Sequence, residues 1–170
     1  MALADVKLLL TDVDGVLTDG SIVIDSAGRE IKHFHVRDGA GMVAWGKLGL
    51  RLGIITGRPS PVTMLRAAEL RIDYIEQCPA MGKVAALENI CAKAGVEAGE
   101  VAFIGDDLAD LPVLTRVGYP IAVADAAPEV IGVARYVTNA AGGRGAVREA
   151  IEHLLKGMGR WDEVLEAYGV

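Results

Sequence analysis

Leu8-Leu-Leu-Thr-Asp-Val-Asp-Gly-Val-Leu-Thr-Asp-Gly20 begins as an unbroken apolar run and breaks into carboxylates. Leu8, Leu9 and Leu10 read as the end of a strand covered on both faces, as in a parallel sheet. Asp12 and Asp14 follow two residues apart. In an extended chain both carboxyls point to the same side. Gly15 then lets the chain turn away sharply. Two partly buried carboxylates held together need a cation or a shared proton. A hard ion that takes oxygen ligands, such as Mg²⁺, is the natural relief. Taken alone, the pattern is more often an acidic turn closing a strand, because Asp is common in turns. The downstream sequence changes that balance.

After Gly20, Ser21–Asp25 and Glu30–Phe34 are two short β-like runs around the turn Ser26-Ala-Gly-Arg29, which predicts a hairpin over 21–34. Asp38 is expected to cap a helix running to about Leu48, with Met42, Trp45 and Leu48 on one side. The next strand is Arg51–Ile55, ending in Thr56-Gly-Arg58. Ser60 as cap and Pro61 in the first turn open a helix to about Leu70. Tyr74–Glu76 is a short strand, and a helix from about Met81 to Ala94 follows. Val101–Ile104 is a buried strand ending in Gly105-Asp-Asp-Leu-Ala-Asp110. Ile121–Val123 and Tyr136-Val137 complete the strands. Gly142-Gly-Arg-Gly145 precedes a helix with Val147, Ile151, Leu154 and Leu155 on one face. The tail from about residue 158 reads as a short helix or a mobile segment. Strands alternating with helices give an α/β fold with a doubly wound, mainly parallel sheet in one domain over 1–170. Such sheets bind ligands at the carboxyl ends of their strands.

The 170 residues suffice for a real core, and 52% of them are hydrophobic, which hints at a subunit interface beside it. The formal net charge is −6 and no basic tract occurs, which argues against a nucleic-acid partner. An anionic substrate would need a local positive cluster working against that field. The N-terminal order lacks a signal-peptide pattern, and no apolar run approaches the ~18 residues of a membrane span. The expected location is the cytoplasm. Cys78 and Cys91 lack metal-ligand spacing and read as buried thiols. His153 reads as solvated and Trp45 as core.

Four strand ends matter together: Asp12/Asp14, Thr56, the Lys83 region, and Asp106/Asp107/Asp110. Singly each is ordinary. Jointly they supply a carboxylate nucleophile, a second acid, a hydroxyl donor, a cation and further metal ligands. Phosphoryl transfer needs that set.

Asp12-Val13-Asp14-Gly15-Val16, Thr56-Gly57, Lys83 and Gly105-Asp106-Asp107 resemble, in order and spacing, the four motifs of the haloacid dehalogenase superfamily. The chain is more closely similar to the 3-deoxy-D-manno-octulosonate 8-phosphate phosphatase group. Asp14-Gly-Val-Leu-Thr-Asp-Gly20, Val36-Arg-Asp-Gly39, Ile54-Ile-Thr-Gly-Arg58, Gly105-Asp-Asp-Leu108, Val123-Ala-Asp-Ala126 and Gly142-Gly-Arg-Gly-Ala-Val-Arg148 carry that likeness, which extends from about Val6 to Leu155. The resemblance implies a Mg²⁺-dependent phosphatase of a sugar-acid phosphate in lipopolysaccharide precursor synthesis. It implies Asp12 as nucleophile, Asp14 as general acid and then base, and Thr56 and Lys83 on the phosphoryl oxygens. Asp12, the main-chain carbonyl of Asp14, and Asp106 would bind the metal. Asp107 or Asp110 would support the metal or orient Lys83. Substrate contacts carried over are His35, Val36, Arg37, Asp38 and Gly39, with Asp14, Arg58, Arg66 and Lys83.

About 40 residues separate Asp14 from Thr56, and under 30 separate Thr56 from Lys83. Neither gap holds a separate cap domain, which would need roughly 50 residues or more. The hairpin at 21–34 is the candidate interface element, and the resemblance implies a homotetramer whose neighbours complete the site. The stretch Gln77-Cys-Pro-Ala-Met-Gly-Lys83 departs from the family's usual run and needs one extra residue. Val43 stands where some relatives carry Arg. Alternative readings are a phosphatase of a C9 sugar acid 9-phosphate, a non-catalytic oligomerisation module, and a phosphoacceptor signalling domain.

Overall fold

The computed structural model of the chain describes residues 3–170. Strand β1 (Leu8–Thr11) is wholly buried, which is why Leu8, Leu9 and Leu10 run unbroken into it. The other strands are β2 (Val23–Ile24), β3 (Glu30–Ile31), β4 (Arg51–Thr56), β5 (Tyr74–Gln77), β6 (Val101–Gly105), β7 (Tyr119–Ala122) and β8 (Tyr136–Val137). Six of them form a parallel sheet in the order β5-β4-β1-β6-β7-β8. β1 therefore lies between β4 and β6. Thr11 pairs with Ile54 on one side and with Ile104 on the other. Asp12, Thr56 and Asp106 consequently leave the sheet at one carboxyl edge.

The helices are α1 (Val36–Lys47), α2 (Pro61–Leu70), α3 (Lys83–Ala94), α4 (Leu111–Leu114), α5 (Pro128–Val133), α6 (Ala146–Gly157) and α7 (Trp161–Ala167). α1 packs on α2 and α6, and α6 on α7, whereas α3, α4 and α5 pack in succession. Right-handed crossovers in opposite directions from β1 place these two groups on opposite faces of the sheet. α4 and α5 have no counterpart in the sequence reading, because four and six residues are too few to show a helical period.

The hairpin forms, but its antiparallel strands are two residues each, shorter than the runs read from the sequence. It lies outside the main sheet. The Asp25 carboxylate closes its turn by accepting from the amides of Ala27 (2.9 Å) and Arg29 (2.8 Å). Ser60 caps α2 as expected, accepting from the Thr63 amide at 3.4 Å. The extra residue before Lys83 is absorbed in a 3₁₀ turn over Ala80–Gly82, so the helix begins at Lys83 rather than Met81.

Asp38 does not cap its own helix. His35 occupies that position, and Asp38 sits inside the first turn, 1% exposed. Its carboxylate reaches across to the start of α6, accepting from the amides of Gly145 (3.2 Å) and Arg148 (2.8 Å). Burial raises its pKa, against the pull of those amides. The helix N-terminus that needs an acceptor is thus served from another helix. His153 is likewise not simply solvated: its ring stacks on Tyr136 at 3.8 Å, and Nε2 lies 2.8 Å from the Tyr119 hydroxyl. Trp45 is core, with its indole N–H donating to the Arg51 carbonyl at 2.9 Å. The tail is helical and rests on its own fold. Arg160 donates to the Leu48 carbonyl at 3.1 Å, and Trp161 lies beneath Arg148 and Lys156.

Replacing Asp38 by Ala leaves two amides at the start of α6 without an acceptor. Asp38→Ala is expected to lower stability by about 2 kcal/mol, read from the urea midpoint. An unchanged midpoint would mean that solvent serves those amides equally well.

Candidate active site

Asp12 follows β1 directly, and its amide still donates to the Ile104 carbonyl at 3.0 Å, so the sheet holds its main chain. It is 7% exposed. Lys83, the first residue of α3, points its ammonium between two carboxylates: Asp12 Oδ2 at 2.9 Å and Asp110 Oδ1 at 2.7 Å. Asp110 Oδ2 accepts from the Asp106 amide at 3.0 Å. Asp110 therefore uses both oxygens in holding Lys83 and the loop after β6. Asp107 is exposed and makes no side-chain cap. Of the two candidates for orienting Lys83, the geometry selects Asp110.

One carboxylate oxygen from each of Asp12, Asp106 and Asp110 falls within 4.8 Å of the others. Asp12 Oδ1 and Asp106 Oδ1 are buried without a hydrogen-bond partner. Burial, and then the Asp110 charge, push the Asp12 pKa up to about 7 against the attraction of Lys83. Burial and the charges of Asp110 and Asp12 push Asp106 up to about 8. Burial works to lower the Lys83 pKa, but Asp12 and Asp110 outweigh it and raise it. Two unpartnered carboxyl oxygens in a shared, desolvated position are the donor set for a hard dication, which would take the place of their protons. Gly15 keeps that position open: its φ is +89°, and a Cβ there would lie 1.9 Å from Asp106 Oδ2. Gly142 seals the turn from behind, since a Cβ there would lie 1.8 Å from the Gly15 carbonyl oxygen.

Thr56 ends β4 and is 1% exposed, its hydroxyl accepting from the Arg58 amide at 3.3 Å. Cys78 lies beside it, with Sγ 3.7 Å from the Thr56 carbonyl oxygen, and burial raises its thiol pKa. Asp14 is not a member of that carboxylate cluster. Its Oδ1 pairs with Lys32 of the hairpin. Lys32 also lies 3.5 Å from Glu30, whose two oxygens engage Arg58 and Ser60. Glu30 and Lys32 were absent from the sequence-derived site. Their signal is the alternation Glu30, Lys32, Phe34, which places three side chains on one face of an extended run.

The segment His35–Gly39 is divided. His35, Asp38 and Gly39 line a small cavity with Thr63, Arg66 and Phe34. Arg66 pairs with Glu69 at 2.7 Å and lies over the Phe34 ring. Asp38 is committed to the start of α6. Val36 is 77% exposed, and Arg37 faces a separate opening with Arg144 and Arg148. Arg58 joins Asp14 through the hairpin. The structure thus gathers Asp12, Lys83, Asp106 and Asp110 tightly, and spreads the remaining residues over adjoining surfaces.

The raised carboxyls set a pH dependence. Between about pH 4, where the unfolded carboxyls titrate, and the folded values of about 7 and 8, the metal-free folded state holds protons that the unfolded chain has released. Stability therefore falls as pH rises through that window. A dication replaces those protons. In EDTA the thermal midpoint is expected to fall between about pH 5 and pH 8, and Mg²⁺ is expected to raise it more at the higher pH. An equal Mg²⁺ effect at both values would show that the carboxyls are already ionised without metal.

Residues 78–151 match the haloacid dehalogenase-like hydrolase family. The chain is 44% identical over 159 residues to the 3-deoxy-D-manno-octulosonate 8-phosphate phosphatase KdsC of Escherichia coli (strain B / BL21-DE3), covering 94% of this chain and 84% of that protein. The KdsC of Yersinia pestis is 42% identical over 152 residues, 89% of this chain and 81% of that one. The crystal structure of 3-deoxy-D-manno-octulosonate 8-phosphate phosphatase from Moraxella catarrhalis, in complex with magnesium ion, phosphate ion and KDO, aligns with a TM-score of 0.94 at 40% identity. That alignment covers 98% of this chain and 95% of that one. With these identities over nearly the whole chain, the protein belongs to the 3-deoxy-D-manno-octulosonate 8-phosphate phosphatase family of haloacid dehalogenase-like hydrolases.

Proposed function

We propose that the chain is a Mg²⁺-dependent phosphatase that releases phosphate from 3-deoxy-D-manno-octulosonate 8-phosphate. The observation that carries the reading is Asp12 itself. One of its oxygens is held by Lys83, and the other is buried and unpartnered beside Asp106. Asp12 and Asp106, with the main-chain carbonyl of Asp14, would hold the metal, which supplies charge neutralisation at the phosphoryl group.

The remaining steps belong to the chain. An Asp12 oxygen attacks phosphorus and the bond from phosphorus to the sugar oxygen breaks. The departing oxygen takes a proton from the Asp14 carboxyl. Water then attacks the aspartyl-phosphate and gives its proton to Asp14, and the Asp12 carboxylate is restored as phosphate leaves. Lys83 and Thr56 hold the phosphoryl oxygens. Arg58 and Arg66 are the cations nearest in role to the sugar-acid carboxylate, with His35 and Gly39 shaping the adjoining cavity. Val36, Arg37 and Asp38 remain the family's substrate segment in position, and Asp38 serves it by fixing α1 against α6.

The proposal includes a homotetramer acting in the cytoplasm on this small-molecule phosphate. The hairpin supports the assembly: Ile22, Val23, Ile24 and Ile31 are 60%, 41%, 59% and 44% exposed, an apolar projection left uncovered among the described residues. Among the described residues no helix is long and apolar enough to cross a membrane.

The test is phosphate release from the octulosonate 8-phosphate beside a C9 sugar acid 9-phosphate, with Mg²⁺ and with EDTA. Metal-dependent release from the C8 ester is expected, and Asp12→Asn should abolish it while the circular dichroism stays native. Preference for the C9 ester, or substantial activity in Asp12→Asn, overturns the assignment of substrate or of nucleophile respectively. Deleting Arg160–Val170 tests the tail: α7 rests on its own chain, and its exposed end, with Tyr168 and Val170, is the part we place toward a neighbouring site in the tetramer. A change in turnover or in KM is expected, and unchanged kinetics would remove the tail from the site.

A further inference from the structure

The hairpin carries a charged face that the phosphatase chemistry as set out above does not use. Lys32 is the unusual member. Its side chain is 2% exposed although it stands on a two-stranded projection outside the main sheet. A buried ammonium needs anionic partners. Lys32 has Asp14 Oδ1 and, at 3.5 Å, Glu30 Oε1. Glu30 is fixed in turn by Arg58 and by the Ser60 hydroxyl. Ser60 is the cap of α2, bound to the Thr63 amide, and its own amide donates to Gln77 Oε1 at 3.1 Å. The chain of contacts thus runs from a helix terminus and the end of β5, through Glu30, to Lys32 and Asp14. Its end point is thereby tied, link by link, to the α/β core.

At Asp14 the two oxygens are treated differently. Oδ1 is engaged by Lys32, while Oδ2 is buried with no hydrogen-bond partner. A carboxyl pinned through one oxygen cannot turn freely about its terminal bond, and the other oxygen is left to exchange a proton. We propose that Lys32 is the positioning residue for Asp14, holding its carboxyl so that Oδ2 faces the oxygen of the departing alcohol and later the attacking water. This rests on the reading of Asp14 as acid and base. Lys32 touches no reacting atom; it acts through Asp14, and Glu30 acts through Lys32.

The leaving group makes the idea testable. A sugar alkoxide needs a proton as it departs, whereas p-nitrophenolate leaves readily without one. The quantity to compare is kcat/KM, which ends at departure of the alcohol. Lys32→Met is expected to lose about 10²-fold on the octulosonate ester and much less, within about 5-fold, on p-nitrophenyl phosphate, while Lys32→Arg recovers most of the loss. The inhibition constant of the free, unphosphorylated sugar acid should stay unchanged in Lys32→Met. Equal losses on both esters, with no recovery in Lys32→Arg, would mean that Lys32 only holds the hairpin together and would overturn the proposal. So would a raised inhibition constant, which would make Lys32 a direct substrate contact. If the native chain ignores the octulosonate ester but hydrolyses the C9 ester, the substrate reading falls. The Lys32 comparison is then made on the C9 ester by the same criteria. Inertness of the native chain toward all three esters overturns both.

Discussion

The buried ammonium of Lys83 is the interaction on which the rest of the site depends. Asp12, Asp106 and Asp110 crowd their oxygens into one small volume at the edge of the sheet. Without a cation, such a cluster would be driven to take up protons or to open to solvent. Lys83 neutralises part of it from the helix side, and a hard dication completes the balance from the side of Asp12 Oδ1 and Asp106 Oδ1. The sheet order makes this possible, because β1 and β6 are neighbours and α3 enters from the opposite face to α1. A fold that separated those strands by one position would leave the carboxylates too far apart to share an ion.

A second constraint is the absence of room for a cap. Between β1 and β4 the chain holds only the hairpin and α1. The hairpin is too short to have a core of its own. It is fastened by charge rather than by packing, through Lys32 to Asp14 and Glu30 to Arg58 and Ser60. The same contacts tie the hairpin to the segments that follow β1 and β4. Its residues Ile22, Val23, Ile24 and Ile31 are exposed.

Much of this was legible in the residues. Leu8–Leu10 read as a strand covered on both faces of a parallel sheet. Ser60-Pro61 announced a helix start, and the structure has each of these. The misreadings share one physical origin. Asp38 was read as a local cap because a carboxylate at a helix start usually serves its own helix. Here it serves α6, more than a hundred residues along the chain. His153 looked solvated on a helix, yet it stacks on Tyr136 of the edge strand. Lys32 was not singled out in the sequence, yet its side chain is buried against Asp14. Local propensity speaks to neighbours in sequence, and all of these contacts are between residues brought together only by the tertiary fold. The choice of Asp110 over Asp107 needed the same information, since adjacent acids after a strand are indistinguishable until the loop closes.

An acidic chain that handles an anionic ester must solve a problem of charge, and the structure shows how. The net charge is −6, so no long-range field draws the substrate in. Instead Lys83, Lys32, Arg58 and Arg66 are each paired with a carboxylate already inside the molecule: Asp12 and Asp110, Asp14, Glu30, and Glu69. Those pairs hold long side chains in place before any ligand arrives, which removes most of the ordering entropy from the binding event. The carboxylates also prevent the cations from being stranded in a desolvated site. The result is a set of oriented cations whose charge is locally balanced. For Arg58 and Arg66 that orientation is set by Glu30 and Glu69, acids that stand outside the carboxylate cluster.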